Sequence, residues 1–152
     1  MKKIIFLILV STFLSNCSKE LAPATPVNLS EVCDAKFDNA RDEKNLEIRY
    51  RVSFEAYPAF PRSLMLNDTA IIDAYPSPDR QGDPIRVSFK VGSGKNRLKK
   101  PGKGYTDSDF MIYDKEGNEI GFNKKVKLEG TRGGSLKDKS CYTSIEVIES
   151  LP

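Results

Sequence analysis

The chain of 152 residues contains no histidine and no tryptophan. Without histidine it lacks the usual general base, the commonest zinc ligand and the partner that activates most nucleophilic Ser and Cys side chains. The expectation is a protein that is not an enzyme and that carries no metal and no dissociable cofactor. Cysteine is scarce, with only Cys17, Cys33 and Cys141, and no cluster of them has metal-ligand spacing. No apolar run is long enough to span a bilayer. The longest, Ile4 to Val10 with Phe13 and Leu14, falls short of the roughly 20 residues a membrane-crossing helix needs, and polar Ser15, Asn16, Ser18, Lys19 and Glu20 follow it closely. No glycine precedes Gly82, so the tighter turns are expected in the second half.

What is present suits one compact domain: 39% of the residues are hydrophobic and 30% charged, enough to bury a real core. Lys2 and Lys3 before a short apolar stretch read as a secretory signal over residues 1–16. At its end, Leu14-Ser15-Asn16-Cys17 resembles the lipobox of bacterial lipoproteins, in which an apolar residue, two small residues and a cysteine mark the cleavage site. That resemblance implies that Cys17 becomes the lipidated first residue of the mature chain, carrying palmitate-type acyl chains, and that the membrane is a partner through this anchor. Ser18, where an Asp would retain the protein at the inner membrane, implies sorting to the outer membrane of the cell envelope. Whether the domain faces the periplasm or the surface stays open. Residues 17–28, with Pro23 and Pro26 among small residues, read as an extended tether. Loss of Lys2 and Lys3 leaves 22 basic and 21 acidic side chains, so net charge gives no reason to expect nucleic acid as a partner.

Residues 29–152 are expected to form the single folded domain. Leu29, Val32, Cys33, Phe37 and Ala40 recur at helical spacing and predict one short N-terminal helix. Leu46, Ile48, Tyr50, Val52, Phe54 and Ala56 then alternate with polar residues, which predicts a half-buried strand, and Ile85, Val87, Phe89 and Val91 repeat the pattern. Leu64–Leu66, Ala70–Tyr75, Phe110–Tyr113, Ile120–Phe122, Val126–Leu128 and Tyr142–Ile148 are further strand candidates, separated by prolines, by a turn at Asp114–Asn118 and by a glycine-rich bend. Seven or eight short strands of this kind predict a mainly β fold, an antiparallel β-sandwich. The Ser-Asp-Phe start and Asp-x-x-Gly-Asn hairpin within Ser108–Phe122 resemble immunoglobulin-like domains of small secreted lipoproteins.

With Cys17 acylated, Cys33 and Cys141 remain as an even pair in an oxidising compartment, and a disulfide between them is expected. Gly92-Ser93-Gly94-Lys95 superficially suggests a phosphate loop, but Phe89 and Asn96 stand where that motif needs a Gly and a Ser or Thr. The basic stretch Lys95, Arg97, Lys99, Lys100 and Lys103 contains no acid and is the candidate binding loop, either for anionic headgroups, glycan or an acidic protein surface, or simply as solvated charge. Asp107, Asp109, Asp114, Glu116 and Asn118 gather oxygen ligands without EF-hand spacing, so turn chemistry is expected there rather than calcium. Tyr50, Tyr57, Phe60 and Tyr75 read as a core plug or an aromatic rim. Ser93, Ser135, Lys137 and Lys139 have no spacing that supports a nucleophile. The functional expectation is a membrane-anchored envelope lipoprotein acting as a non-catalytic binding or scaffolding module with an envelope protein or anionic ligand as partner. The alternatives are a surface-exposed binder of ligands or host factors, and an inhibitor of a lysozyme-type enzyme. For the inhibitor, Val91–Arg97 resembles the Ser-Gly-containing loop of periplasmic lysozyme inhibitors, with Arg97 in place of their Tyr.

Overall fold

The structure is a computed structural model that describes residues 21–38, 40–41, 43–45, 47–59, 68–102, 106, 109–134 and 141–152. The secretory signal, Cys17, Lys103, Phe60, Ser135, Lys137, Lys139, Asp107 and the Leu64–Leu66 strand candidate lie outside the described residues. Among the described residues, no helix is long and apolar enough to cross a membrane.

The strands are β1 (Thr25–Pro26), β2 (Ala40–Arg41), β3 (Glu47–Ile48), β4 (Arg51–Ala59), β5 (Thr69–Tyr75), β6 (Ile85–Lys90), β7 (Arg97–Leu98), β8 (Met111–Tyr113), β9 (Glu119–Gly121), β10 (Val126–Gly133) and β11 (Tyr142–Ser150). The mainly β expectation holds; the sandwich does not. β4 pairs antiparallel with β10 along Arg51–Ala56 and with β5 along Tyr57–Ala59, so the sheet runs β4-β5-β6-β11-β10 and returns to β4. A sheet closed on itself is a barrel, and its core lies inside one sheet rather than between two. Four of the five contacts around the barrel are antiparallel, and the β6–β11 contact is parallel. In chain order the barrel strands therefore neighbour one another as first, second, third, fifth, fourth and first again, which is the Greek-key connectivity of the OB fold. The immunoglobulin-like reading fails for the same reason: its short hairpin is β8–β9, which forms a separate three-stranded sheet with β7.

Alternation puts Val52, Phe54 and Ala56, Ala70, Ile72 and Ala74, Ile85, Val87 and Phe89, and Val126 and Leu128 in the barrel core. Each large side chain buried in this way contributes about 1.5–3 kcal/mol. β11 keeps both Ile145 and Ile148 inside although their spacing breaks the period of two. A register shift opposite Glu129 and Gly130 leaves Glu146 as the extra residue of a bulge and resets the phase. β7, β8 and β9 lie in the connection between the third and fourth barrel strands and add Leu98, Ile112 and Ile120 to the same core.

Four further differences from the sequence reading have local causes. The alternation from Leu46 to Ala56 is divided between β3, which pairs with β2, and β4. Pro58 does not end β4 but stands buried within it, at the change from pairing with β10 to pairing with β5. The bend expected after Leu128 is the second half of β10: Gly130 sits where the Ser144 carbonyl crosses, a position with no room for a β-carbon. Lastly, the expected N-terminal helix is two single 3-10 turns, Leu29–Glu31 and Ala35–Phe37. In an α-helix the Val32 carbonyl accepts from the Lys36 N–H. Here the Lys36 N–H donates to Asp34 Oδ1 at 3.0 Å and the Val32 carbonyl accepts from Arg132 Nε at 3.1 Å. Leu29, Val32 and Phe37 still reach the core.

Candidate functional site

The outside of the barrel has two unlike faces. On the β4–β10–β11 side almost every charge is matched. Arg51 donates to Glu146 at 2.8 Å and stands 3.9 Å from Glu129; Lys127 bridges Glu129 at 3.0 Å and Glu149 at 3.1 Å; Lys125 pairs with Glu55 at 2.6 Å. Lys115 also bonds Glu149. Hydrogen bonds from Lys115 and Lys127 hold the Glu149 carboxyl below its ordinary range, and bonds to Glu129 and Glu149 raise Lys127. This face is a ladder of satisfied pairs.

The β5–β6–β11 side differs. Strand register sets its outward residues in rows. Asp73, Arg86, Tyr142 and Gly133 form one row across β5, β6, β11 and β10, and Ile71, Ser88, Ser144 and Thr131 form the next. Thr69 and Lys90 begin a third. Ile71 is 57% exposed and Tyr142 42%, two of the large apolar side chains this protein leaves in solvent. A β-carbon on Gly133 would stand 2.6 Å from the Tyr142 ring, so the ring rests on bare backbone and turns its other side outward. Arg86 and Lys90 are exposed and make no ion pair among the described residues. Aromatic and aliphatic surface next to uncommitted cations is the composition of a recognition surface.

A notch of about 280 Å³ lies beside Tyr142, bordered by Arg49, Gly134 and Ser144. A groove of about 430 Å³ lies at the other end of the rows, bordered by Leu21, Lys90, Lys95, Asn96 and Arg97 and, from β11, by Ser144, Ile145 and Glu146. The structure thus divides the basic stretch seen in the sequence. Lys95 and Arg97 reach the groove, where Lys90 joins them. Lys99 is committed to Glu119, and that hydrogen bond raises the Lys99 pKa. Lys100 is exposed beyond β7. The segment between β6 and β7 is held down rather than projecting: Asn96, at φ 54°, accepts from the Ile148 N–H through Oδ1 at 2.8 Å and donates its own N–H to the Asp114 carbonyl at 3.1 Å.

The remaining candidates are committed to local structure. Asp114 is buried at the β8–β9 turn, where Oδ1 accepts from the N–H groups of Glu116, Gly117 and Asn118 at 2.8–2.9 Å and Oδ2 accepts from Asn118 Nδ2 at 3.0 Å. Asp109 accepts from the N–H and hydroxyl of Thr106, and Glu116 stands 3.9 Å from Lys95. Among the described residues, no three His, Cys, Asp or Glu side chains gather to hold a metal ion. Tyr57 and Tyr75 face each other across β4 and β5, and Tyr50 packs its ring 5.8 Å from Phe37 against the core. Cys33 and Cys141 are joined in a disulfide with their Cα atoms 5.9 Å apart. Arg86, Lys90, Ile71 and Tyr142 escaped the sequence reading. Their outward phase is legible in the alternation of β5 and β6, whereas their adjacency depends on the parallel β6–β11 register, for which a sequence carries no local signal.

No family model matches the chain, and no curated protein matches it. Among solved structures, the chain is similar to a protein of Leishmania major Friedlin described as an aspartyl-tRNA synthetase, at 13% identity and a TM-score of 0.45, over 88% of this chain and 22% of that one. The chain therefore spans about a fifth of that protein's length. Neither fold nor activity is carried over from it, and the barrel connectivity rests on the strand registers alone.

Proposed function

We propose that the protein is a bacterial envelope lipoprotein, anchored through acyl chains on Cys17, whose barrel is a non-catalytic binding module that receives its partner on the β5–β6–β11 face. The observation that carries the binding reading is the contrast between the two faces. Charges on β4, β10 and β11 are paired with one another, while Arg86 and Lys90 make no ion pair among the described residues and stand beside exposed Ile71 and Tyr142. By fold-level analogy, OB barrels bind extended oligomers across their second and third strands, and β5 and β6 are those strands here. With nucleic acid set aside for an exported chain, an anionic glycan or an acidic protein segment fits this surface. The anchor reading is supported by the cysteine count: Cys33 and Cys141 are joined, which leaves Cys17, at the end of the signal-like segment, as the cysteine free for acylation.

The test is site-specific photo-crosslinking in cells, with the crosslinking side chain placed at Ile71 or Tyr142 and, on the opposite face, at Lys127. A discrete adduct is expected from Ile71 and Tyr142 and none from Lys127. Adducts from Lys127 alone would remove the assignment of the face. Metabolic labelling with palmitate, expected on the wild-type chain and absent from Cys17→Ser, tests the anchor separately.

A further inference from the structure

Building on the Cys17 anchor, we infer that the groove bordered by Lys90, Lys95 and Arg97 is a membrane-docking surface for anionic phospholipid headgroups, a second contact that holds the barrel against the bilayer carrying its acyl chains. The first support is charge. Lys90 and Arg97 have no ion-pair partner among the described residues, and Lys95 has only Glu116 at 3.9 Å, with both side chains exposed. A carboxylate, Glu146, borders the groove as well, and it is committed to Arg51 at 2.8 Å and to the Thr131 hydroxyl at 2.7 Å. The surface therefore presents two cations without an ion pair among the described residues, Lys90 and Arg97, and a third, Lys95, that is only loosely paired.

The second support is position. Leu21, 52% exposed, borders the same groove. It follows Cys17 by four residues, a length of chain that spans at most about 14 Å. An acylated Cys17 sits at the membrane interface, so the groove cannot move far from the headgroups, and attraction between cations and an anionic leaflet acts within roughly a Debye length of 8–10 Å. A short lead also lets the exposed Leu21 side chain settle among the headgroups. Arg86 lies four residues before Lys90 on β6, about 13 Å along the strand. Docking at the Lys90 end therefore leaves the Arg86 and Tyr142 row free for a partner. Acyl chains combined with a basic patch are the two-signal arrangement that makes peripheral anchoring stable and oriented.

The mature chain from residue 17 with Cys17→Ser, which has no acyl group, is to be sedimented with vesicles of 30% phosphatidylglycerol in phosphatidylcholine and with vesicles of phosphatidylcholine alone. Binding is expected to the first and not the second, and to be lost in 0.5 M NaCl. Each cation near an anionic surface contributes about five-fold to binding. The variant Lys90→Gln, Lys95→Gln, Arg97→Gln should therefore bind on the order of 100-fold more weakly, whereas Lys36→Gln, Lys124→Gln should bind like the parent. Matching thermal unfolding curves establish that the variants are folded. Equal binding to both vesicle types, or triple-variant binding equal to the parent, overturns the docking surface. Absence of palmitate from wild-type Cys17 overturns the anchor instead, so the two readings fail by different measurements.

Discussion

Asp114 shows how one side chain organises a turn. It is 1% exposed, and burial alone pushes its carboxyl up. Hydrogen bonds from the Asn118 side chain and from the N–H groups of Asn118, Glu116 and Gly117 outweigh that effect and hold it below its ordinary value of 3.8. A carboxyl depressed in the folded state contributes stability that is fully present above its unfolded value and is lost as the pH falls through the folded one. Asp114→Asn is therefore expected to destabilise the protein near neutral pH by about 1–3 kcal/mol and to flatten part of the loss of stability below pH 3.8. Urea midpoints measured from pH 7 to pH 2 on both chains check this. Gly130 is the second position of this kind. Its β-carbon would overlap the Ser144 carbonyl oxygen, so Gly130→Ala should cost about 3 kcal/mol or more, because backbone on both strands has to move. Thermal unfolding measures it.

At the scale of elements, the segment Leu29–Phe37 is clamped to the barrel twice. The disulfide joins Cys33 to the residue before β11, closing a sequence separation of 108. Arg132 of β10 is buried, and its guanidinium donates to the Val32, Gly133 and Gly134 carbonyls and to Asp38 Oδ1 at 3.0 Å. Loss of the cross-link releases a loop whose closure is worth about 4.7 kcal/mol in the chain-entropy model. Loss of Asp38 leaves a buried guanidinium short of its carboxylate, at about 2 kcal/mol. Both act on one segment, so their effects should not add. Reduction alone is expected to lower global stability while Val32 and Phe37 keep their amide protection. Reduction of the Asp38→Asn chain should free the segment as a unit. Hydrogen exchange of the Leu29–Phe37 amides against those of β4 and β10 distinguishes these outcomes.

For the whole molecule, the distribution of charge matters more than its sum. On the β4–β10–β11 face Lys125 and Glu55 are exposed, and a pair of that kind contributes little to stability and is screened by salt, whereas the pairs around Arg51, Glu129 and Glu149 are half-buried and screened much less. Raising NaCl from 0.05 M to 1 M should therefore shift the free energy of unfolding by less than about 1 kcal/mol, as read from urea denaturation. Contacts that depend on Lys90, Lys95 and Arg97 should weaken over the same range. The stability of the fold rests on the closed barrel core, and the charged exterior acts on orientation and recognition.

The amino-acid sequence by itself determined where the barrel strands lie and which side of them is apolar, though not the full length of β10 or the short strands β1, β2 and β7. Period-two alternation in Ile85–Lys90, Thr69–Tyr75 and Val126–Leu128 is imposed by the pleat and needs no partner to be visible. The oxidised cysteine pair was legible for a similar reason, since counting suffices. Barrel against sandwich was decided by tertiary structure alone, because the choice turns on whether β4 pairs with β5 as well as with β10, a contact no local pattern announces. The same holds for the N-terminal turns, where Arg132 takes the Val32 carbonyl from a position 100 residues away and removes the bond a helix would need. It holds for the candidate face as well: Arg86 and Tyr142 become neighbours only through the parallel β6–β11 register, in which closure of the barrel places side by side two strands that the chain keeps far apart.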